Sequence, residues 1–351
     1  MKYLREGSPE LQQLQWLASE FESLSGLATK PQELLTQRVR HTGWQAGPSQ
    51  SVGGSCHLMM TSDGEWVAIN LARPEDHELV GIFFGLEVGS EPQLDIGKLR
   101  NNVRSCTADD LIEYAIDVGL AISRLNEVPN EFFRDQLPVR VREVSRSLSA
   151  PKREQLKVVD LSSLWAGPLC SHLLQQTGCA VTKVESTHRP DGARFGNPHF
   201  FAELDEGKDH VEIDFHSIAG IHQLRELIKN ADVLVEAFRP GVADRLGFGV
   251  EAVRALNPKI VYCSISAFGQ SGPWRDKPAH DTATVAASGV LSLSCSPEGD
   301  SGPAIIGVAI SDMLASWAAL SGILMALLRR ETTGEGDYLD ISMHESVLAA
   351  S

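Results

Sequence analysis

The chain has 351 residues, enough for two domains of ordinary size or one large domain. Its residues are 42% hydrophobic and 22% charged, which is compatible with a buried core and excludes a disordered chain. The 46 acidic residues outnumber the 31 basic ones, and the net charge of −15 argues against partners such as nucleic acid or an anionic membrane.

The six cysteines include no C-x-x-C pair, so neither a zinc site nor a redox motif is predicted, and no metal is expected. The first residues contain no apolar export segment. The predicted location is therefore the reducing cytoplasm.

Helices, a loop and a hairpin are predicted for the first half. In chain order these are helices at 9–24 and 32–38, an irregular loop at 48–54, strands at 57–61 and 66–70, and helices at 75–84 and 108–124. Asp63-Gly64 lies between the two strands and is a β-hairpin signal. The polar segment 145–155 is predicted to separate a small α+β domain, 1–148, from a second domain, 149–351.

Short apolar runs alternate with helical patterns in the second half. Strands are predicted at 157–161, 180–185, 211–215, 232–236 and 259–266, and helices at 169–177, 221–229 and 250–256. This alternation predicts an α/β fold with a Rossmann-like parallel sheet covered on both faces. The apolar stretch 305–328 is predicted to be a buried strand end and a core helix, because Asp312 would be costly inside a membrane.

The segment from Asp160 to Pro168 follows the first strand of this domain and is rich in small residues. Backbone N–H groups in such a turn, at the start of a helix, favour a phosphate ligand. The glycines of G-x-G-x-x-G are absent, which disfavours a nicotinamide enzyme despite Glu185 at the end of the second strand. An ordinary strand-to-helix turn is the alternative.

A series of short motifs gives a more specific indication. They are Ser163–Pro168, Thr182–Glu185, Arg189–Arg194, Gly207-Lys208, Val211–Asp214, Ala231–Gly241, Asp244–Gly247 and Ser266–Pro273. In order and spacing they resemble the motifs of the family III CoA-transferases, the CaiB/BaiF group that includes formyl-CoA transferase and α-methylacyl-CoA racemase. This resemblance implies acyl-CoA and a carboxylic acid as substrates, with no tightly bound cofactor.

The resemblance also implies which residues meet CoA. They are Leu164, Trp165 and Ala166 in the first turn, together with Lys208, Phe238 and Arg245. Without the resemblance, Lys208 and Arg245 would be ordinary solvated surface charges. Ser186 stands where many members carry a basic residue, so a phosphate contact is expected to be lost or taken over by His188 or Arg189.

Two residues are predicted to be catalytic. Asp312 opens a long apolar helix, where an aspartate most often caps the helix, but the family motif places the nucleophile at this position. His280, followed by Asp281, has either a structural role or the role of the racemases' catalytic histidine. Asp312 and His280 would then exchange an α-proton.

The order of the motifs suggests a permuted family member. Gly53-Gly54 and the hairpin resemble the small domain that usually follows the nucleophile domain, whereas here they precede it. By this resemblance Gly53-Gly54 is the mobile loop that shields the acyl group, although Gly-Gly alone more often makes a turn. The family also implies an interlocked homodimer.

These observations predict a CoA-transferase that works through an aspartyl anhydride and an aspartyl thioester. A racemase acting by α-proton transfer is the first alternative. The second is a CoA-binding relative without activity, since a fold does not guarantee its function.

Overall fold

The structure is a computed structural model that describes residues 9–43, 47, 49–86, 94–127, 156–293 and 303–350. The predicted domain boundary at 145–155 lies outside these ranges.

A three-stranded antiparallel sheet organises the first half. The helices are α1 (Pro9–Ser25), α2 (Pro31–Leu35), α3 (Gln37–Thr42), α4 (Pro74–Phe84), α5 (Ile96–Val103) and α6 (Ala108–Val118), and the strands are β1 (Cys56–Met60), β2 (Trp66–Asn70) and β3 (Ala121–Arg124). The strand order is β1-β2-β3, and the predicted hairpin forms with Gly64 in its loop at φ +81°.

The helix predicted at 108–124 is shorter in the structure, and its last part is a strand. Gly119 adopts φ +75°, a left-handed conformation that ends α6 at Val118, and β3 follows at once. Helical periodicity continues past this glycine, so the strand was hidden within an apparently longer helix.

The second half is the predicted α/β unit. Its strands are β4 (Lys157–Asp160), β5 (Ala180–Ser186), β6 (Asp209–Ile213), β7 (Val233–Glu236), β8 (Val261–Ser266) and β9 (Tyr338–Ser342). Its helices are α7 (Ala166–Gln176), α8 (Ala193–Gly196), α9 (Pro198–Asp205), α10 (Ile218–Lys229), α11 (Val242–Arg245), α12 (Val250–Leu256), α13 (Asp281–Ala287), α14 (Val290–Leu293), α15 (Ile310–Thr333) and α16 (Met343–Leu348).

The six strands of this unit are all parallel, in the order β6-β5-β4-β7-β8-β9. Counted within the unit, this is the doubly wound order 3-2-1-4-5-6. The direction of winding reverses between β4 and β7, which opens a crevice beyond the carboxyl ends of these two strands.

The apolar stretch 305–328 lacks the predicted strand end, since residues 304–309 are irregular and the helix α15 begins at Ile310. This helix is long and apolar enough to cross a membrane, but 89% of its most apolar window is buried within the protein. The edge strand β9 was not predicted.

Helix α1 packs against α15, so the first helix joins the core of the parallel-sheet unit. The rings of Phe21 and Trp317 meet edge to face, with centroids 5.4 Å apart, and both are fully buried. Burial of such a side chain contributes roughly 1.5–3 kcal/mol. A separate core around Ile69, Leu99 and Leu111 lies inside the small unit formed by β1 to β3 and α4 to α6.

The small unit contacts the parallel-sheet unit through α13, against which β2 and β3 lie. The N–H groups of Asn126 and Glu127 donate to the carbonyls of Ala286 and Ala287 at 2.9 and 3.0 Å. The buried ammonium of Lys277 also pairs with the Glu127 carboxylate. The segment that carries His280 therefore lies where the two units meet.

Candidate active site

The predicted ligand-binding turn joins β4 to α7 at the crevice. Leu164 has φ +69°, a left-handed conformation that is strained for leucine, and its side chain is 43% exposed. Trp165 and Ala166 are buried, and the Trp165 ring packs edge to face on Phe200 at 5.0 Å. A Cβ on Gly167 would lie 2.2 Å from the Ser162 Cβ, so only glycine fits there.

Lys208 is buried beneath this turn. Its ammonium donates to the carbonyl of Pro168 at 3.0 Å and to the carboxylates of Asp205 and Asp160 at 3.0 and 3.3 Å. Its side chain has no exposed surface, so the alternative of a solvated surface charge is wrong for Lys208. Direct contact with CoA stays a prediction, and these three contacts favour a supporting role.

A second buried ammonium lies under the same turn. Lys183 donates to the carbonyl of Ser162 at 2.5 Å and to the carboxylate of Asp191 at 3.2 Å. The other Asp191 oxygen accepts the N–H of Leu164 at 3.0 Å. Burial opposes the charge of Asp160, but Lys183 and Lys208 outweigh it and hold the pKa of this carboxyl well below its usual range.

The other side of the crevice follows β7. The buried carboxylate of Glu236 accepts the N–H of Phe238 at 2.7 Å, which fixes the start of this loop. Burial raises the pKa of Glu236 to about 7, and the charges of Asp340 and Asp244 act in the same direction. Phe238 itself is half-buried.

Cationic side chains from both units surround His280. Burial, together with the charges of Arg73, Arg239 and Arg189, lowers the pKa of His280 to about 4 against the opposing charge of Asp76. The imidazole is therefore neutral at physiological pH, and so low a pKa makes it a weak base.

Two of these arginines are held by defined contacts. Arg73, from the small unit, makes a two-pronged ion pair with the buried Asp76, with contacts of 2.5 to 3.2 Å. Arg239 donates to the carbonyl of Gly119 at 3.3 Å and so also contacts the small unit.

Arg245 lies on the surface at the end of the short helix α11. The space above Gly241 is flanked by its guanidinium and by that of Arg275, which would lie 3.4 and 3.6 Å from a Cβ at this glycine. Both cations are thus within reach of the crevice loop that follows β7.

Asp312 occupies the first turn of α15 but is not its N-cap. Ala309 stands at the N-cap position, and Asp312 is the third residue within the helix, so Asp312 does not occupy the capping position. Asp281 performs that function from another element, because its Oδ1 accepts both the N–H and the hydroxyl of Ser311 at 2.8 Å. The helix N-terminus still favours an ionised Asp312.

The same hydrogen bond links the two predicted catalytic residues. Asp281 follows His280, and Ser311 precedes Asp312, so each predicted residue is one position from the Asp281–Ser311 contact. Cys56, two residues after Gly53-Gly54, lies here as well. Burial and the charge of Asp281 raise the pKa of its thiol to about 12.

The sequence indicated the first turn, His280 and Asp312, but it did not reveal Arg73, the buried Glu236, or that Asp281 caps α15 rather than the helix that it begins. Arg73 comes from a distant segment, and no local pattern reveals which unit it will face. Within the part of the chain that the structure describes, no group of three His, Cys, Asp or Glu side chains is placed to hold a metal ion.

An open parallel sheet with a switch point between its first and fourth strands is the architecture of nucleotide-binding α/β proteins. The sequence profile of CoA-transferase family III matches residues 154–351, and the chain belongs to this family.

Known relatives give the same assignment. The acetyl-CoA:oxalate CoA-transferase of Acetobacter aceti is 34% identical over 200 residues, which are 55% of this chain and 51% of that protein. The formyl-CoA:oxalate CoA-transferase of Escherichia coli O6:H1 is 31% identical over 200 residues, 55% of this chain and 48% of that protein. The chain thus spans about half the length of these curated relatives.

A solved structure shares the fold. A CaiB/BaiF family protein from Brucella suis is 31% identical, with a TM-score of 0.54 over 57% of this chain and 55% of its own. A hypothetical protein from Mycobacterium tuberculosis is 32% identical, with a TM-score of 0.51 over 55% of each chain.

Proposed function

We propose that this protein transfers CoA from a donor acyl-CoA to a carboxylic acid, with Asp312 as the nucleophile. The observation that carries the proposal is the position of Asp312 in a chain of this family. It lies in the first turn of α15, at a helix N-terminus whose cap is supplied by Asp281. A carboxylate at this position can act as the nucleophile towards a bound thioester.

CoA is proposed to bind in the crevice between β4 and β7. We expect Leu164, Trp165 and Ala166, which follow β4, to line one side and Phe238, which follows β7, to line the other. The phosphates would meet exposed cations at the rim, namely Arg189, Arg239 and Arg245. A local cluster of this kind attracts a polyanion although the whole chain carries a net charge of −15.

The proposed reaction has four steps. The Asp312 carboxylate attacks the thioester carbonyl, giving an acyl–aspartyl anhydride and the CoA thiolate. The thiolate then attacks the aspartyl carbonyl, forming an aspartyl–CoA thioester and releasing the donor acid. The acceptor carboxylate attacks this thioester to form a second anhydride, and the freed thiolate attacks the acceptor's acyl carbon, giving the new acyl-CoA and restoring Asp312.

Trapping tests this mechanism. After incubation with acyl-CoA and hydroxylamine, mass spectrometry should find Asp312 as a hydroxamate, whereas the exposed Asp276 stays unmodified. An unmodified Asp312 in an enzyme that transfers CoA would refute the mechanism. Oxalate and the other acids named for relatives are the first acceptors to screen.

The position of His280 and Asp312, each one residue from the Asp281–Ser311 hydrogen bond, supports a second candidate, an α-methylacyl-CoA racemase in which these two residues exchange an α-proton. Incorporation of solvent deuterium at the α-carbon, without an acceptor acid, identifies the racemase. His280→Phe should abolish such exchange but leave CoA transfer largely intact, because transferases of the family often carry an aromatic residue there.

A third candidate is a CoA-binding relative without activity. Turnover of any acyl-CoA that is lost in Asp312→Ala would exclude it.

We also propose that the protein acts as a homodimer in the cytoplasm. Light scattering of the purified protein tests the homodimer and should give twice the monomer mass. Cell fractionation tests the cytoplasmic location.

A further inference from the structure

The buried charges under the β4–α7 turn serve no step of the proposed reaction. Two ammonium groups and three carboxylates lie there, all with nearly or fully buried side chains. They are Lys183, Lys208, Asp160, Asp191 and Asp205. Removing such charges from water is costly, so a cluster this large needs good internal partners.

The partners include the backbone of the turn itself. Lys183 reaches the carbonyl of Ser162, Lys208 reaches the carbonyl of Pro168, and Asp191 accepts the N–H of Leu164. Ser162 and Leu164 lie at the start and in the middle of the turn, and Pro168 lies in the first turn of α7, which follows it. The cluster thus fixes the backbone rather than any single side chain.

Leu164 shows why the turn needs this support. Its left-handed φ of +69° is strained for a residue with a Cβ, and its side chain is 43% exposed. A backbone in that state persists only where its surroundings determine it. The N–H of Leu164 is held by Asp191, which is in turn paired with Lys183.

We infer that Lys208 and Lys183 are positioning residues that hold the β4–α7 turn in its ligand-binding form before acyl-CoA arrives. Lys208 acts through the backbone and does not contact a phosphate. This inference rests on the proposed function, because it assigns the turn as the CoA-binding element.

Binding measurements separate this role from a phosphate contact. Lys208→Met should raise the Kd of CoA, by calorimetry, and the KM of acyl-CoA about 10-fold, while kcat changes less than about 3-fold. Arg245→Met removes a cation proposed to meet phosphate, so it should weaken the dependence of Kd on salt concentration, whereas Lys208→Met should leave that dependence unchanged. Lys229→Met, on the surface of α10, is the matched control and should change nothing.

A double-mutant cycle tests the link to Leu164. Glycine adopts the left-handed conformation freely, so a turn with Leu164→Gly needs less support. Lys208→Met should then raise the Kd about 10-fold in the wild-type background but less than about 3-fold beside Leu164→Gly. The inference would be overturned if Lys208→Met raised the Kd by the same factor in both backgrounds, or if it weakened the dependence of Kd on salt concentration.

Hydrogen exchange of the unmutated protein gives an answer even where Lys208→Met does not fold. The peptide covering 162–168 should already be protected without ligand, and CoA should add little. Free exchange of this peptide until CoA is added would show that the ligand, not the cluster, orders the turn. Failure of wild-type protein to bind CoA at all would instead refute the proposed function.

Discussion

The two helix starts that form the candidate site are supported in different ways. The β4–α7 turn is supported by buried ion pairs within the parallel-sheet unit, chiefly those of Lys183 and Lys208. The start of α15, which carries Asp312, is held by the Asp281 carboxylate at the start of α13. Since α13 also contacts the small unit, only the second support depends on how the two units meet.

This difference separates binding from chemistry. Substitutions of the buried charges under the β4–α7 turn should lower the affinity for acyl-CoA. Changes along the path from the small unit through α13 to α15 should act on kcat, because they move the proposed nucleophile relative to a bound thioester.

The largest effect is expected at Asp312. Asp312→Asn removes the nucleophile and should lower kcat at least about 10³-fold, while the Kd of CoA changes little. Steady-state kinetics and calorimetry measure the two quantities, with the exposed Asp276→Asn as the control. If Asp312→Asn retained normal CoA transfer, α15 would carry no nucleophile, and the assignment of chemistry to the start of this helix would be wrong.

A smaller fall in kcat is expected when the cap of α15 is removed. Asp281→Ala leaves the N–H and hydroxyl of Ser311 without their shared acceptor, which should lower kcat about 10–100-fold. The free energy of unfolding should fall by about 0.5–2 kcal/mol in denaturant titrations. Asp281→Asn retains an acceptor oxygen and should recover part of the lost kcat, which loss of folding alone would not explain.

Removing the ion pair between the two units should lower kcat several-fold. Glu127→Gln gives the buried ammonium of Lys277 an amide oxygen in place of its carboxylate and should destabilise the protein by roughly 1–3 kcal/mol. The kcat should fall about 2–5-fold with an unchanged KM for acyl-CoA. Glu113→Gln, on the exposed face of α6, is the control. A rise in KM alone would contradict the separation of binding from chemistry.

The smallest effect on turnover is expected at Glu236, on the binding side. Its pKa is raised from 4.5 to about 7, so between these values the native protein keeps a proton that the unfolded chain has lost. The free energy of unfolding should therefore fall as pH rises through this window, by roughly 3 kcal/mol from this group.

Glu236→Gln removes that contribution because an amide does not titrate in this range. The difference in stability between variant and wild type should change steadily between pH 4.5 and 7, with kcat at fixed pH nearly unaltered. Asp340 and Glu345, whose pKa values burial also raises, contribute equally to both proteins. A constant difference across the window would refute the assignment.

Much of the fold could be predicted because the parallel-sheet unit repeats one local pattern. Apolar strands and helices alternate there, and β4, β5, β7 and α12 lie within two residues of their predicted bounds. Strand β3 was missed because a single glycine separates it from α6. Strand β9 was missed because its polar residues, such as Asp340, look like those of a loop.

The site was predictable only in part. Asp312 and the β4–α7 turn carry local motifs, whereas the cap from Asp281 and the position of Arg73 depend on tertiary contacts across many residues. Lys208 illustrates the limit most clearly. A lysine in a polar segment is usually solvated, and only the folded chain encloses it among three oxygens.

The placement of α15 also bears on how the site is assembled in time. This helix belongs to the crossover between β8 and β9, and those parallel strands pair across a connection of roughly 70 residues. Long-range parallel pairing is slow compared with the local contacts that close the β4–α7 turn. Asp312 should therefore reach its position among the last events of folding, after the crevice for the ligand has formed.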